Sequence, residues 1–167
     1  MPESRKEQGI LADLSVSDNV VLSRLANSGS TAVRSGARER ELARQTVESL
    51  RVRCSSVSQP VGRLSGGNQQ KVVIGRCLAT NPRVLLLDEP TRGVDVGARR
   101  EIYSMIFSLA EKGLAVLFVS SELEEILGIS DRVLVMSDGA IRGELPRGDL
   151  SERAIMSLAS PHKRIAA

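Results

Sequence analysis

The 167-residue sequence has no tryptophan, one tyrosine and two phenylalanines. Base stacking on protein rings therefore has almost no platform here, which argues against a nucleic-acid-binding module. The formal charge of +3 is mild. Arg34, Arg38, Arg40, Arg44, Arg51 and Arg53 share one polar stretch without aromatic interleaving, the pattern of a solvated helix face. The sole histidine is His162, and Cys54 and Cys77 stand far apart without metal-ligand spacing. A disulfide framework, a zinc site and histidine-based catalysis are disfavoured on those grounds. No apolar run approaches the ~20 residues that span a bilayer, and residues 1–25 have no continuous segment of signal-peptide length, so the chain reads as cytosolic. Gly-Lys-Ser/Thr, the end of the loop that commonly wraps phosphates, is also absent.

What is present suffices for one domain or part of one, since 41% of the residues are hydrophobic. In residues 15–26, Val20, Val21, Leu22 and Leu25 recur at helical spacing behind Ser17 as the expected N-cap. A polar loop is expected over 27–36 and a charged helix over 37–52. After Leu64, helical patterns alternate with short apolar runs, as buried parallel strands read. The spacing predicts a helix over 68–79, a strand over 84–87, a helix over 98–112 stopped by Gly113, and a strand over 114–119. Ser121 and Glu124 suggest a capping box for a short helix that Gly128 ends, followed by a hairpin about Ser137-Asp138-Gly139 and a last helix after Asp149. The order implies an α/β core with parallel strands flanked by helices, preceded by a helical subdomain.

Two stretches carry chemistry. VLLLDE, residues 84–89, is a buried strand delivering Asp88 and Glu89 to its carboxyl end, the edge where open α/β sheets hold ligands. Such a pair can divide labour, Asp88 holding Mg²⁺ through its water shell while Glu89 orients or deprotonates a water. A strand that merely ends in a polar turn has the same pattern. Ser65-Gly66-Gly67 at a helix start offers successive backbone N–H groups and the positive end of the helix dipole to an anion, although alone it is equally a flexible turn.

The two in combination, with Gly93-Val94-Asp95 beyond, are more specific. LSGGN, from Leu64 to Asn68, resembles the signature loop of ATP-binding cassette (ABC) proteins, which usually ends in Gln; VLLLDE resembles their Walker B strand, and GVD their D-loop. LSGGNQQK, DEPTRGVDVGA, VSSELEEILGISDRVLVM and the opening PESRKEQGI are similar to the second cassette of the tandem ATPases that energise monosaccharide import in bacteria, covering nearly the whole chain. The resemblance implies a partial P-loop NTPase core lacking the Walker A strand, loop and helix. It implies ATP and Mg²⁺ as cofactors, Glu89 as the catalytic carboxylate and Asp88 as the metal ligand. Nucleotide contacts would come from Glu3, Leu64, Ser65, Gly66, Gly67, Asn68, Asp88, Asp95 and Ser121. Two positions depart from the general pattern: Ser121 stands where most cassettes place a histidine, and Glu3 where the Q-loop Gln is usual, both as in this second cassette.

One partial nucleotide-binding domain is expected over 1–167, with the Q-loop remnant and signature subdomain in 1–80 and Walker B, D-loop and C-terminal core in 81–167. The expected function is the C-terminal part of a sugar-importer ATPase peripheral to the cytoplasmic face of the bacterial inner membrane. Its partners would be permease subunits, a complete cassette or the missing N-terminal part, and indirectly a periplasmic sugar-binding protein. The rival is a non-catalytic module docking on a permease or a complete cassette; a soluble ABC ATPase of repair or translation fits RGVDVGA and SSEL less well. Without the Lys and amide cradle of a Walker A loop, the isolated chain is expected to bind ATP only weakly, and a micromolar dissociation constant by calorimetry would contradict this.

Overall fold

The computed structural model describes Met1 and residues 9–27 and 36–160, leaving aside the side chains of residues 25–27. It divides into two compact units, Met1–Val119 and Ser120–Ala167, so the boundary expected at residues 80 and 81 lies inside the first.

The first unit begins with α1 (Val16–Asn27) and α2 (Gly36–Ser49), both packed against α3 (Gly66–Leu78). α1 starts two residues earlier than expected. Ser15, not Ser17, caps it: its Oγ accepts from the Asp18 N–H at 3.0 Å. The earlier start places Val16 and Val20 one turn apart, and both are fully buried. Asn19 is also fully buried and bonds in several directions, accepting from Leu11 N–H at 2.9 Å and from the Arg76 guanidinium at 2.8 Å. α2 stops at Ser49, short of the expected Val52, because Arg51 turns into the left-handed region at φ 50°. A 3-10 turn over Val61–Arg63 that the periodicity does not announce leads into α3. The loop expected over 27–36 falls largely outside the described residues.

β1 (Val84–Asp88) follows α3, then α4 (Val96–Glu111) crosses over to β2 (Ala115–Val119). The strands pair in parallel with Val84 opposite Ala115 and Asp88 opposite Val119. Gly113, at φ 89°, makes the exit from α4 that the sequence led one to expect. Leu85 and Leu87 are buried on one face, whereas Val84, Leu86, Leu117 and Val119 are each more than half exposed on the other. The strands are therefore covered on one side only, unlike the fully enclosed strands their apolar runs suggest.

The second unit has α5 (Leu123–Ile129), β3 (Arg132–Ser137), β4 (Ala140–Pro146) and α6 (Glu152–Ala159). α5 carries Glu122 at its cap position without a side-chain cap bond, and it continues through Gly128. Ser120 Oγ accepts from the Glu122 N–H at 3.0 Å in the turn that leads into α5. The hairpin is as expected: Asp138 and Gly139 have φ 51° and 73°, both positive as a two-residue turn of type I′ requires. Val133, Val135 and Ile155 form a small core between hairpin and α6.

The one-sided burial of β1 makes a direct prediction. Leu85→Ala, at 2% exposure, should cost about 2–5 kcal/mol, while Leu86→Ala, at 58%, should stay within about 0.5 kcal/mol; denaturant midpoints of the two variants measure the difference.

Candidate functional site

Serine 65 stands at the N-cap of α3 in extended conformation, but its side chain makes no cap bond. Its Oγ instead accepts from Asn68 Nδ2 at 2.9 Å, and Asn68 Oδ1 accepts from the Arg53 backbone N–H at 2.8 Å. An α-helix leaves its first N–H groups without intrahelical acceptors, so the start of α3 combines amides, a hydroxyl and a dipole. Gly67 has a second duty. A Cβ there would lie 2.4 Å from Ala98 Cβ, so α3 and α4 meet where only glycine fits. Asp95 caps α4, accepting from the Ala98 N–H at 2.9 Å. Ser65, Gly67, Asn68 and Asp95 thus line one cleft of about 170 Å³, together with Arg53 and Glu101. Gly66 is half-buried beside it, and Leu64 is buried with its carbonyl accepting from Gln69 Nε2 at 3.1 Å.

Asp88 and Glu89, both half-buried, occupy the carboxyl end of β1. The Glu89 N–H extends the parallel ladder one step, donating to Val119 O at 2.9 Å. Its φ of 45° then turns the chain sharply, a strained conformation for a residue with a side chain. The turn is held by Arg92 N–H on Glu89 O at 3.1 Å and by Gln70 Nε2 on Pro90 O at 2.6 Å. Among the described residues no three His, Cys, Asp or Glu side chains gather as an all-protein metal cage would require. Asp88 at a strand end fits the sparser demand of Mg²⁺, which keeps most of its waters and takes one or two carboxylates plus phosphate.

Ser121 is exposed and belongs to the second unit; Glu3 lies outside the described residues.

Motif reasoning passed over the residues behind the signature. Gln69, Gln70 and Lys71 are consecutive and all buried, and each bonds a different neighbour. Gln69 reaches the carbonyls at the 3-10 turn, Gln70 the turn after β1, and Lys71 Nζ both Arg51 O at 3.0 Å and Glu101 Oε2 at 2.8 Å. A polar run inside an amphipathic helix was the available signal. The hydrogen bond and charge of Lys71 hold the Glu101 carboxyl below its ordinary range.

The family described as ABC transporter matches residues 4–92. The chain is 53% identical to the ribose import ATP-binding protein RbsA 2 of Rubrobacter xylanophilus over 96% of its own length and 31% of that protein's. It is 49% identical to the xylose import ATP-binding protein XylG of Moorella thermoacetica, over 98% of this chain and 32% of the relative. Against the arabinose import ATP-binding protein AraG of Vibrio parahaemolyticus the identity is 52%, over 95% and 31%. The chain thus spans about a third of the length of these curated relatives. Among solved structures, an ATP-binding cassette of an ABC transporter superposes with a TM-score of 0.75 at 26% identity, covering 89% of this chain and 63% of that one. A dimeric cassette bound to ADP and Pi in a post-hydrolysis state gives 0.70 at 26%, over 84% and 60%. Among the described residues no helix is long and apolar enough to cross a membrane.

Because the Glu101 carboxyl is held low in the folded protein, it contributes stability above the ordinary carboxylate value of about 4.3 and loses it as the pH falls through the lower native value. Glu101→Gln should therefore flatten the acid limb of stability below about pH 5, measured as denaturation midpoint against pH. An unchanged limb would mean that the exposed carboxylate is screened to no effect.

Proposed function

The chain belongs to the ABC transporter family, and from that membership we propose that it supplies the signature face and the Walker B carboxylates of a sugar-import ATPase. The observation that carries the reading is the cleft in which Ser65, Gly67 and Asn68 of the signature stretch meet Asp95 of the D-loop stretch. Leu64, Ser65, Gly66, Gly67, Asn68 and Asp95 face a nucleotide whose Walker A loop is on a partner cassette. Ser65 Oγ and the first amides of α3 donate to its phosphate oxygens, where dipole and geometry already favour an anion.

Asp88 and Glu89 serve the second nucleotide, on the chain's own side. When bound, Mg²⁺ offsets phosphate charge, and Asp88 holds it through its water shell. Glu89 takes the position that orients the attacking water, with the locked turn after β1 keeping its backbone in place. Glu3 occupies the Q-loop position. Ser121 takes the place of the usual histidine, and a neutral hydroxyl cannot do an imidazole's charge work, so this second site turns over slowly. The names of the relatives, for ribose, xylose and arabinose import, support coupling to monosaccharide uptake through a membrane permease at the cytoplasmic face.

The test is a chimera in which the full chain replaces the matching third of the R. xylanophilus ribose import protein. Gly66→Asp sets an anion against the phosphates at a place where each donor is worth ~2.7–4 kcal/mol, so ATPase activity should fall by about 100-fold or more. Glu89→Gln should remove no more than about half of total turnover, because the faster site draws its catalytic groups from elsewhere. Equal damage from both changes would overturn the asymmetry.

A further inference from the structure

The signature cleft contains one cation that the family reading leaves without a role. Arg53 lines it with a side chain 80% exposed, and the guanidinium's one side-chain hydrogen bond among the described residues goes to Glu101 Oε1 at 2.8 Å. Glu101 is already neutralised on its other oxygen by Lys71, whose side chain is 3% exposed and whose other partner among the described residues is the neutral carbonyl of Arg51. A buried ammonium needs its carboxylate, so Lys71 has first claim on Glu101. The pairing leaves Arg53 as a second cation on a spent anion, with most of its five N–H donors uncommitted among the described residues.

The position of Arg53 is fixed rather than incidental. Its backbone N–H is held by Asn68 Oδ1, and Asn68 Nδ2 in turn holds Ser65 Oγ. The signature serine and the arginine are thus two ends of one short hydrogen-bonded chain through Asn68, the residue that departs from the usual Gln. The other acid of the cleft, Asp95, spends its Oδ1 on the cap of α4.

We propose that Arg53 is a nucleotide-contacting residue of the signature face, moving its guanidinium from Glu101 onto the phosphate chain of the ATP that docks against Ser65. A planar guanidinium suits phosphate oxygens, which it meets with two parallel N–H bonds. The transfer exchanges a weak, exposed ion pair for a charge-assisted contact in a closed interface. It leaves Lys71–Glu101 intact, so the helix scaffold is undisturbed. The proposal rests on the reading of Ser65–Asn68 as nucleotide-facing.

The same chimera tests it, through steady-state ATPase kinetics at low and high salt. Arg53→Ala should raise the KM for ATP about tenfold while kcat stays within about twofold, and the difference should shrink at high ionic strength. Arg53→Lys should recover only part of the affinity, because the charge is kept while the planar two-bond fork is lost. Arg44→Ala, an exposed arginine on α2 paired with Glu41, serves as the control and should change nothing. If KM is insensitive to Arg53→Ala while Gly66→Asp still abolishes hydrolysis, the role of Arg53 is overturned and the signature reading stands. If Gly66→Asp itself leaves hydrolysis intact, the reading of the face fails, and this proposal fails with it.

Discussion

A charged ammonium in a protein interior is tolerable only where a carboxylate and hydrogen-bond acceptors meet it, and the first unit is arranged around that requirement at Lys71. The side chain leaves α3, takes Glu101 from α4 and the carbonyl of Arg51 from the end of α2, and so fixes three helices at one point. Arg51 must adopt its left-handed turn to present that carbonyl. The turn delivers Val52 and Arg53 to Asn68, and Asn68 orients the hydroxyl of Ser65. The geometry of the loop at Ser65 is therefore inherited from a buried charge two turns away. Gly67 against Ala98 and Gln70 against Pro90 bring the remaining loop residues into the same arrangement.

The local motifs were legible because each depends on local chain geometry. Ser65-Gly66-Gly67 opens a helix, VLLLDE runs as a strand into its carboxylates, and Asp138-Gly139 makes a tight hairpin. Such signals lie within a few residues of one another, and backbone stereochemistry translates them directly. The supporting shell was not legible. Arg53 meets Glu101 across 48 positions and Gln70 meets Pro90 across 20, and no periodicity encodes such pairings. The helix boundaries moved for a related reason: Ser15 outcompetes Ser17 as the cap because tertiary burial of Val16 requires the earlier start. The apolar runs suggest enclosed strands, yet among the described residues Val84, Leu86, Leu117 and Val119 stay exposed, since a strand's pattern cannot say which of its faces a given segment of protein supplies.

Glu89 illustrates how a position can depart from local backbone preference. Its positive φ is costly for a non-glycine residue, and the surrounding bonds, to Val119, Arg92 and through Pro90 to Gln70, over-determine the turn. The same Gln70 sits one turn from Gly66 and Gly67, on the helix that the signature stretch opens. A single helix thus carries both the signature stretch and the brace that holds the turn after Asp88 and Glu89.

The two kinds of strand pairing in the chain also differ in how they can form in time. Ser137 and Ala140 close a hairpin across two residues, so β3 and β4 can zip in about 1–10 μs with almost no search. Val84 and Ala115 must find each other from about thirty residues apart, after α4 has begun to form, and loop closure of that length bears an entropic penalty before any contact rewards it. The second unit can therefore be in place early, while the parallel pair that presents Asp88 and Glu89 assembles late, with its uncovered apolar face open to whatever meets it first.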